Sequence, residues 1–229
     1  MKLARTFWPA VALLGATFAL FEFTSLDLWV QDRCYDFAAR RWLVDGQAPL
    51  PRALFYEGPK AALIVLGVLL LALALAPARW RAALRLPASA DRRALLVVVA
   101  TLATGPALIG IGKSVTNVFC PSEVVRYGGD VPYVRLIECY PPGQQPARRG
   151  HCFPAGHASG GFALASLAGL ARSRRGQLGG LAAGVALGGA MGLYQMLKGA
   201  HYLSHTLVTA LVAWLVFLGW QRVLTRHQP

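Results

Sequence analysis

Residues 62–76 read ALIVLGVLLLALALA, and residues 207–220 read LVTALVAWLVFLGW. Neither run contains a charged side chain, and each extends to the roughly 20 residues that a helix needs to cross a bilayer. Four further apolar stretches indicate further spans. We predict an all-α polytopic membrane protein with six transmembrane helices, at about residues 6–24, 60–78, 94–112, 155–171, 177–197 and 203–221.

The composition of the chain agrees with this fold class. Of 229 residues, 55% are hydrophobic and 14% are charged, and the mean hydropathy is +0.46. A disordered chain is far less hydrophobic, and a soluble domain carries about a quarter charged residues. We expect one membrane-embedded domain over residues 1–229, with its core at 60–221.

The first span and the two central spans need separate arguments. Residues 6–24 follow Lys2 and Arg5, as in a secretory signal, but no clear small-residue cleavage site precedes Glu22, so we expect a retained span. The fourth and fifth spans contain GFALASLAGLA and GGLAAGVALGGAMGL. Small residues let helix backbones approach closely, so these two are predicted to be central helices.

The basic residues predict the orientation. The formal net charge is +13, from 23 Lys+Arg and 10 Asp+Glu. With a cytoplasmic N-terminus, the inner connections hold twelve basic residues against Asp91, and the outer segments hold eleven basic and nine acidic residues. This asymmetry follows the positive-inside rule and places both termini in the cytoplasm. It also removes the case for a nucleic-acid partner, because no soluble basic patch remains.

Two predicted outer segments, 25–59 and 113–154, are long. The first contains LDLWVQDRCYDFAARRWLVDG, with apolar residues at helical spacing, and is predicted to be an interfacial helix. The second is rich in Pro and Gly and is predicted to be a loop. Both are expected in the periplasm of a bacterial cell.

All four cysteines lie in these outer segments. An oxidising compartment favours one or two disulfides, and four cysteines allow three full pairings. We favour Cys139 with Cys152, and the alternative is that some cysteines remain buried thiols. The four are Cys34, Cys120, Cys139 and Cys152.

Four polar side chains are predicted to meet at the outer boundary. Lys113 ends the third span, His157 begins the fourth, and His201 and His205 lie between the fifth and sixth. A histidine pair at i and i+4 shares a face if both are helical, and histidine transfers protons near neutral pH. The turn at 154–156 leads into a helix whose amides can hold an anion. Together these are the parts of a phosphate site, whereas each histidine alone fits a buried structural role.

Three motifs give this arrangement a resemblance to the type 2 phosphatidic acid phosphatases, which are integral-membrane enzymes. The family's first motif is a lysine, six residues, then Arg-Pro, and residues 113–121 read KSVTNVFCP. The second is Pro-Ser-Gly-His, and residues 154–157 read PAGH. The third has an arginine, five residues, a histidine, three residues and an aspartate, and residues 195–205 read QMLKGAHYLSH. The order and intervals agree over about residues 60–221.

The resemblance implies roles for the matched residues. His201 would attack phosphorus and become a phosphohistidine, His157 would protonate the leaving oxygen, and His205 would orient His201. No cofactor or metal is implied. A metal cluster of the three histidines is an alternative, but no carboxylate or cysteine is clearly placed beside them. The phosphate oxygens would be held by Lys113, Ala155, Gly156 and Gln195.

Four matched positions depart from the family pattern. They are Cys120 and Gln195 in place of arginines, Ala155 in place of a serine, and His205 in place of the aspartate. We expect Arg126 of the outer loop to supply positive charge, with Arg135, Arg148, Arg149 or Lys198 as alternatives. Ser159 or Ser204 would supply a hydroxyl.

The expected function is therefore hydrolysis of a membrane lipid phosphate or diphosphate at the periplasmic face of the inner membrane. Candidate substrates are a polyprenyl diphosphate, phosphatidylglycerol phosphate, phosphatidic acid and a lipid A phosphate. Two alternatives stay open: transfer of the phosphoryl group to another lipid, and a non-catalytic lipid-binding or partner-binding protein. The four altered motif positions motivate the second of these.

Overall fold

The computed structural model describes residues 3–84 and 89–225, so Lys2, Arg85 and Arg226 of the predicted inner charge lie outside the described residues. Almost all regular structure is helical. The helices are α1 Phe7–Glu22, α2 Leu26–Gln31, α3 Pro49–Arg52, α4 Gly58–Leu75, α5 Ala78–Ala83, α6 Arg92–Val115, α7 Gly156–Ala163, α8 Arg174–Leu197 and α9 Leu203–Thr225. Shorter 3-10 turns flank several of them, and a π turn at Ala53–Glu57 joins α3 to α4.

Five helical stretches among the described residues are long and apolar enough to cross a membrane. They are Leu3–Glu22, Pro49–Leu75, Arg92–Val115, Arg174–Leu197 and Leu203–Leu224. These confirm an all-α, multi-pass membrane protein and five of the six predicted spans. The second begins earlier than predicted, because the helix already starts at Pro49.

The predicted fourth span is a shorter helix. It consists of α7 with eight residues and a 3-10 helix, Leu164–Leu170, with seven. Because a 3-10 helix rises about 2.0 Å per residue against 1.5 Å for an α-helix, the pair still covers about 26 Å.

A glycine stripe on α8 explains how this short helix fits into the bundle. A Cβ added at Gly180, Gly184 or Gly188 would lie less than 3.0 Å from atoms of Ala168, Ala165 or Phe162, respectively. The glycines recur every four residues, so they occupy one face of α8. Backbone-to-backbone contact therefore holds the fourth and fifth segments together at the centre, as the sequence predicts.

The first outer segment is not one interfacial helix. After α2 and a 3-10 turn the chain forms an antiparallel hairpin of β1 Tyr35–Asp36 and β2 Arg41–Trp42. The Asp36 carboxylate accepts the backbone N–H groups of Ala38 and Ala39, which fixes the turn of this hairpin.

The second outer segment is a loop, as predicted, but its disulfide joins Cys120 to Cys152, with a Cα–Cα distance of 5.1 Å. The prediction of Cys139 with Cys152 is wrong. The chain before Cys152 runs beside residues 117–120: the Cys152 amide donates to Val118 O at 2.9 Å and the Gly150 amide to Asn117 Oδ1 at 2.8 Å. Cys139 is free and exposed, and Cys34 is free and buried.

Both outer segments pack together into a cap over one end of the bundle. The buried centre of this cap is largely aromatic. Its members are Tyr35, Phe119, Val124, Tyr127, Val131 and Tyr202.

Candidate active site

The three predicted histidines meet beneath the cap. His201 lies in the turn between α8 and α9, His205 in the first turn of α9, and His157 in the first turn of α7. The ring centroids of His157 and His201 are 5.7 Å apart, as are those of His201 and His205. His201 precedes the helix rather than sharing its first turn with His205, yet their Nδ1 atoms are still 3.5 Å apart.

The position of His201 suits a nucleophile. Its ring is buried, and its Nε2 has no hydrogen-bond partner among the described residues. When its Nδ1 carries the proton, it donates to Nδ1 of His205 and leaves the lone pair on Nε2. Burial, with smaller contributions from His205 and Lys113, lowers the pKa of His201 well below its usual value, so the ring is neutral at physiological pH.

The disulfide forms one wall of this site. Sγ of Cys152 lies 3.4 Å from Nδ1 of His201. Cys152, His201 and His205 offer potential ligand atoms within 4.8 Å of one another, which places a cysteine beside the histidines where the sequence indicated none. In the structure that sulfur is bonded to Cys120 and is not a thiolate ligand.

The predicted phosphate-binding residues divide into two groups. Lys113 ends α6 against Gly156: a Cβ at Gly156 would lie 3.3 Å from the Lys113 ammonium. The first amides of α7 have no intrahelical partner and face the same end of the bundle as this cation. The amide of Ala155, however, donates to His205 O at 3.3 Å and so helps to position α7 on α9.

The two remaining candidates differ in their surroundings. Gln195 is fully buried in the last turn of α8, and both of its side-chain polar atoms lack partners among the described residues. Arg126 is not free for phosphate, because its guanidinium forms two hydrogen bonds to Asp32, of 2.8 and 2.7 Å. That pair joins the two outer segments of the cap.

Three further residues near His157 were not among the preferred site residues. The Tyr56 ring lies 4.6 Å from the His157 ring, and the Lys198 ammonium lies 5.0 Å from the Tyr194 ring and 5.7 Å from the Tyr56 ring. Lys60 lines the same cleft as His157. Lys60 stands alone at the start of the apolar run at 62–76, and that isolated charge is the signal that identifies it.

A cleft of about 610 Å³ leads from these residues down between α4 and α6. Its outer end is lined by Tyr56, Lys60, Lys113 and His157, and its walls further in by Leu63, Ile64, Val68, Leu71, Val99 and Leu102. Polar groups at one end and aliphatic side chains along the rest match the two parts of an amphipathic ligand.

The fold and site define a polytopic helical membrane protein with a histidine cluster at one end of its bundle. The family model described as the PAP2 superfamily matches residues 94–228, and the chain belongs to this superfamily. Membership supports a phosphatase-type activity on phosphate esters in general. No curated protein and no solved structure matches the chain.

Proposed function

We propose that the protein is a lipid phosphatase of the bacterial inner membrane, acting at the periplasmic face through a phosphohistidine intermediate. The observation that carries this proposal is the cleft that joins His157 and Lys113 to an apolar passage between α4 and α6. A head group held at the polar end leaves its chains beside aliphatic side chains. Candidate substrates remain a polyprenyl diphosphate, phosphatidylglycerol phosphate, phosphatidic acid and a lipid A phosphate.

Phosphate binding in this proposal relies on lysines and amides rather than arginines. Lys113, Lys60 and the first amides of α7 supply positive charge and donors to the equatorial oxygens. Lys198 adds a cation at the rim, and Gln195 supplies an amide donor.

The first chemical step forms a bond between Nε2 of His201 and phosphorus while the phosphorus–oxygen bond to the lipid breaks. His157 gives a proton to the leaving oxygen, and His205 accepts the hydrogen bond from Nδ1 of His201 as that ring becomes positive. In the second step water attacks phosphorus, His157 takes one of its protons, and inorganic phosphate leaves neutral His201.

The test is phosphate release by detergent-purified protein from a panel of lipid phosphates and diphosphates. We expect His201→Ala and His157→Ala each to lower kcat by about 100-fold or more. His227→Ala, at the C-terminal end of the chain, serves as the matched histidine control and should retain wild-type turnover. Turnover that survives His201→Ala would contradict the assignment of the nucleophile.

Transfer to a second lipid is the other enzymatic outcome of the same intermediate. It would yield a newly phosphorylated lipid instead of inorganic phosphate. The absence of both products from folded, monodisperse protein would favour a non-catalytic binder, the alternative that the replacements at Cys120 and Gln195 motivate.

A further inference from the structure

The outer segment between α1 and α3 holds the turn that carries His201. Gln31 is fully buried and its Nε2 donates to Met196 O at 2.9 Å. The Val44 amide donates to Leu197 O at 3.2 Å. The Trp42 ring covers Gly199, where φ is +75° and a Cβ would lie less than 3.0 Å from the ring. Residues 26–44, which we call the clamp, precede the part of the chain that matches the family model.

Asp27 extends the clamp onto α9. It is buried, and its carboxylate accepts two hydrogen bonds from Ser204, one from the backbone N–H at 2.9 Å and one from the hydroxyl. Ser204 stands in the first turn of α9, directly before His205. A carboxylate at a helix N-terminus both satisfies a free amide and interacts favourably with the helix dipole.

Asp27 and His205 also line one small pocket of about 40 Å³, which has room for water. The other ionisable groups that face it are Glu22 from α1, Tyr133 and Arg135 from the outer loop, and Tyr202. The Glu22 carboxylate accepts the backbone amides of Leu136 and Ile137. Asp27 is bonded to α9 itself, so it is the carboxylate of this pocket that is tied to the helix of His205.

We propose that Asp27 is a positioning residue for the histidine pair. Through Ser204 it fixes the first turn of α9, and with it the contact between Nδ1 of His205 and Nδ1 of His201. Its negative charge strengthens the two hydrogen bonds that it accepts from Ser204, so protonation of Asp27 loosens the first turn of α9. The inference rests on the proposed phosphatase function.

The ionisation of Asp27 makes this role measurable. Burial outweighs the hydrogen bonds from Ser204 and raises the pKa of Asp27 to about 6. His201 has a pKa well below its usual value, but the substrate phosphate itself titrates at about pH 6. The part of the acid limb that belongs to Asp27 is therefore the part that Asp27→Asn removes. An Asn of the same shape still accepts the Ser204 N–H, so Asp27→Asn removes the charge and its titration and keeps the bond to the backbone.

The experiment compares Asp27→Asn with Asp32→Asn. Asp32 lies in the same outer segment as Asp27, and its carboxylate pairs with Arg126 of the other outer segment. We expect Asp27→Asn to lower kcat on a lipid phosphate by about 10- to 100-fold with KM within about twofold of wild type. Its pH profile should lose part of the acid limb near pH 6, and Asp27→Glu should recover part of kcat. Asp32→Asn should retain both kcat and the limb. Equal kcat values for the two Asn variants, or an unchanged acid limb, would overturn the proposal.

A second measurement does not depend on activity. In protein with ¹⁵N-labelled histidines, Asp27→Asn should shift the imidazole nitrogen resonances of His201 and His205, and Asp32→Asn should leave them in place. Unshifted resonances in folded Asp27→Asn would overturn the inference. If wild type releases no phosphate from any lipid, the proposed function fails, while the resonances still decide whether Asp27 acts on the histidine pair.

Discussion

Lys113 is the residue expected to bind phosphate in a site where Cys120 and Gln195 replace the two arginines of the family pattern. Its ammonium is a point charge on a flexible stem, whereas a guanidinium binds two phosphate oxygens in a fixed plane. The stem of Lys113 runs past Gly156, where an added Cβ would lie 3.2 Å from Cε, so glycine at this position leaves room for the lysine. Lys113 therefore places a cation at the start of α7, where the first amides lack intrahelical partners.

We therefore expect Lys113→Ala to lower kcat/KM by about 100-fold or more, because the charge that forms on the phosphoryl oxygens loses its nearest cation. Steady-state kinetics on a lipid phosphate in detergent measure the effect. Arg41→Ala, which removes an exposed cation from the hairpin on the same side of the bundle, is the control and should stay within about twofold of wild type. Similar losses in both variants would mean that the general positive field matters more than the position of Lys113.

At the scale of elements, the disulfide joins two parts of the outer loop beside the turn that carries His201. Reduction opens a loop closed across 32 positions of sequence and frees the Cys152 sulfur, which lies 3.4 Å from Nδ1 of His201. We expect Cys120→Ala/Cys152→Ala to lower the free energy of unfolding by about 3 to 4 kcal/mol in the loop-entropy account and to lower kcat.

Thermal denaturation and turnover, each with and without reductant, test this expectation. Cys139→Ser removes an exposed free thiol and should change neither value. If reductant lowers the activity of the double alanine variant as strongly as that of wild type, the effect does not come from this disulfide.

The glycine stripe of α8 gives a second prediction for an element. Gly184→Leu should destabilise the protein by about 1–3 kcal/mol or more, because the new side chain meets the backbone of Ala165. Gly189 lies on the same helix with nothing within 4 Å of a Cβ, so Gly189→Leu should leave the melting temperature unchanged or raise it. Equal melting temperatures for the two variants would show that α7 and α8 are less closely packed than the structure indicates.

The membrane-spanning helices are the elements that the sequence predicts best, because lipid offers the backbone no hydrogen-bond partners. A run such as 62–76 has one stable state in a bilayer, a helix, because every backbone polar group must be bonded internally. The outer segments have water and each other as partners. The hairpin at 35–42 packs with the second outer segment through Tyr35 and Tyr127, and the Cys120–Cys152 bond joins residues 32 positions apart, so both depend on contacts that helical periodicity does not predict.

The residues of the candidate site also fall into two groups, those that local motifs predict and those placed by contacts between distant parts of the chain. Spacing within the three motifs brings Lys113, His157 and His201 to one end of the bundle, because each motif sits at a helix end. Arg126 has no such constraint, and its partner Asp32 comes from the other outer segment. Asp27 approaches Ser204 across 177 positions of sequence, a contact that no motif predicts.

At the scale of the whole molecule, the length of the cleft indicates how long a ligand chain it can hold. Along α4 its lining runs from Lys60 to Leu71, eleven residues or about 16 Å of helix. A chain of that reach stays in contact with the protein over most of one leaflet. We expect long-chain lipid phosphates to have lower KM values than short-chain analogues.

Filling the cleft tests this directly. Leu102→Trp should raise KM for a long-chain lipid phosphate by about tenfold and leave hydrolysis of a small water-soluble phosphate ester unchanged, because the head-group end is untouched. Leu108→Trp, on an exposed face of the same helix outside the cleft, is the control for a new tryptophan. A parallel loss on both substrates in Leu102→Trp would mean that the change disturbs the site itself.

The clamp has a consequence for biosynthesis. The ribosome makes the clamp, residues 26–44, early. It makes the turn at residues 197–204, which the clamp contacts, almost last. Gln31 finds its acceptor, Met196 O, at the end of α8, but Asp27 has no donor until Ser204 at the start of α9 is in place. The histidine pair is therefore completed by the final step of membrane insertion, and a nascent chain halted before that step has the cleft between α4 and α6 but not the paired histidines.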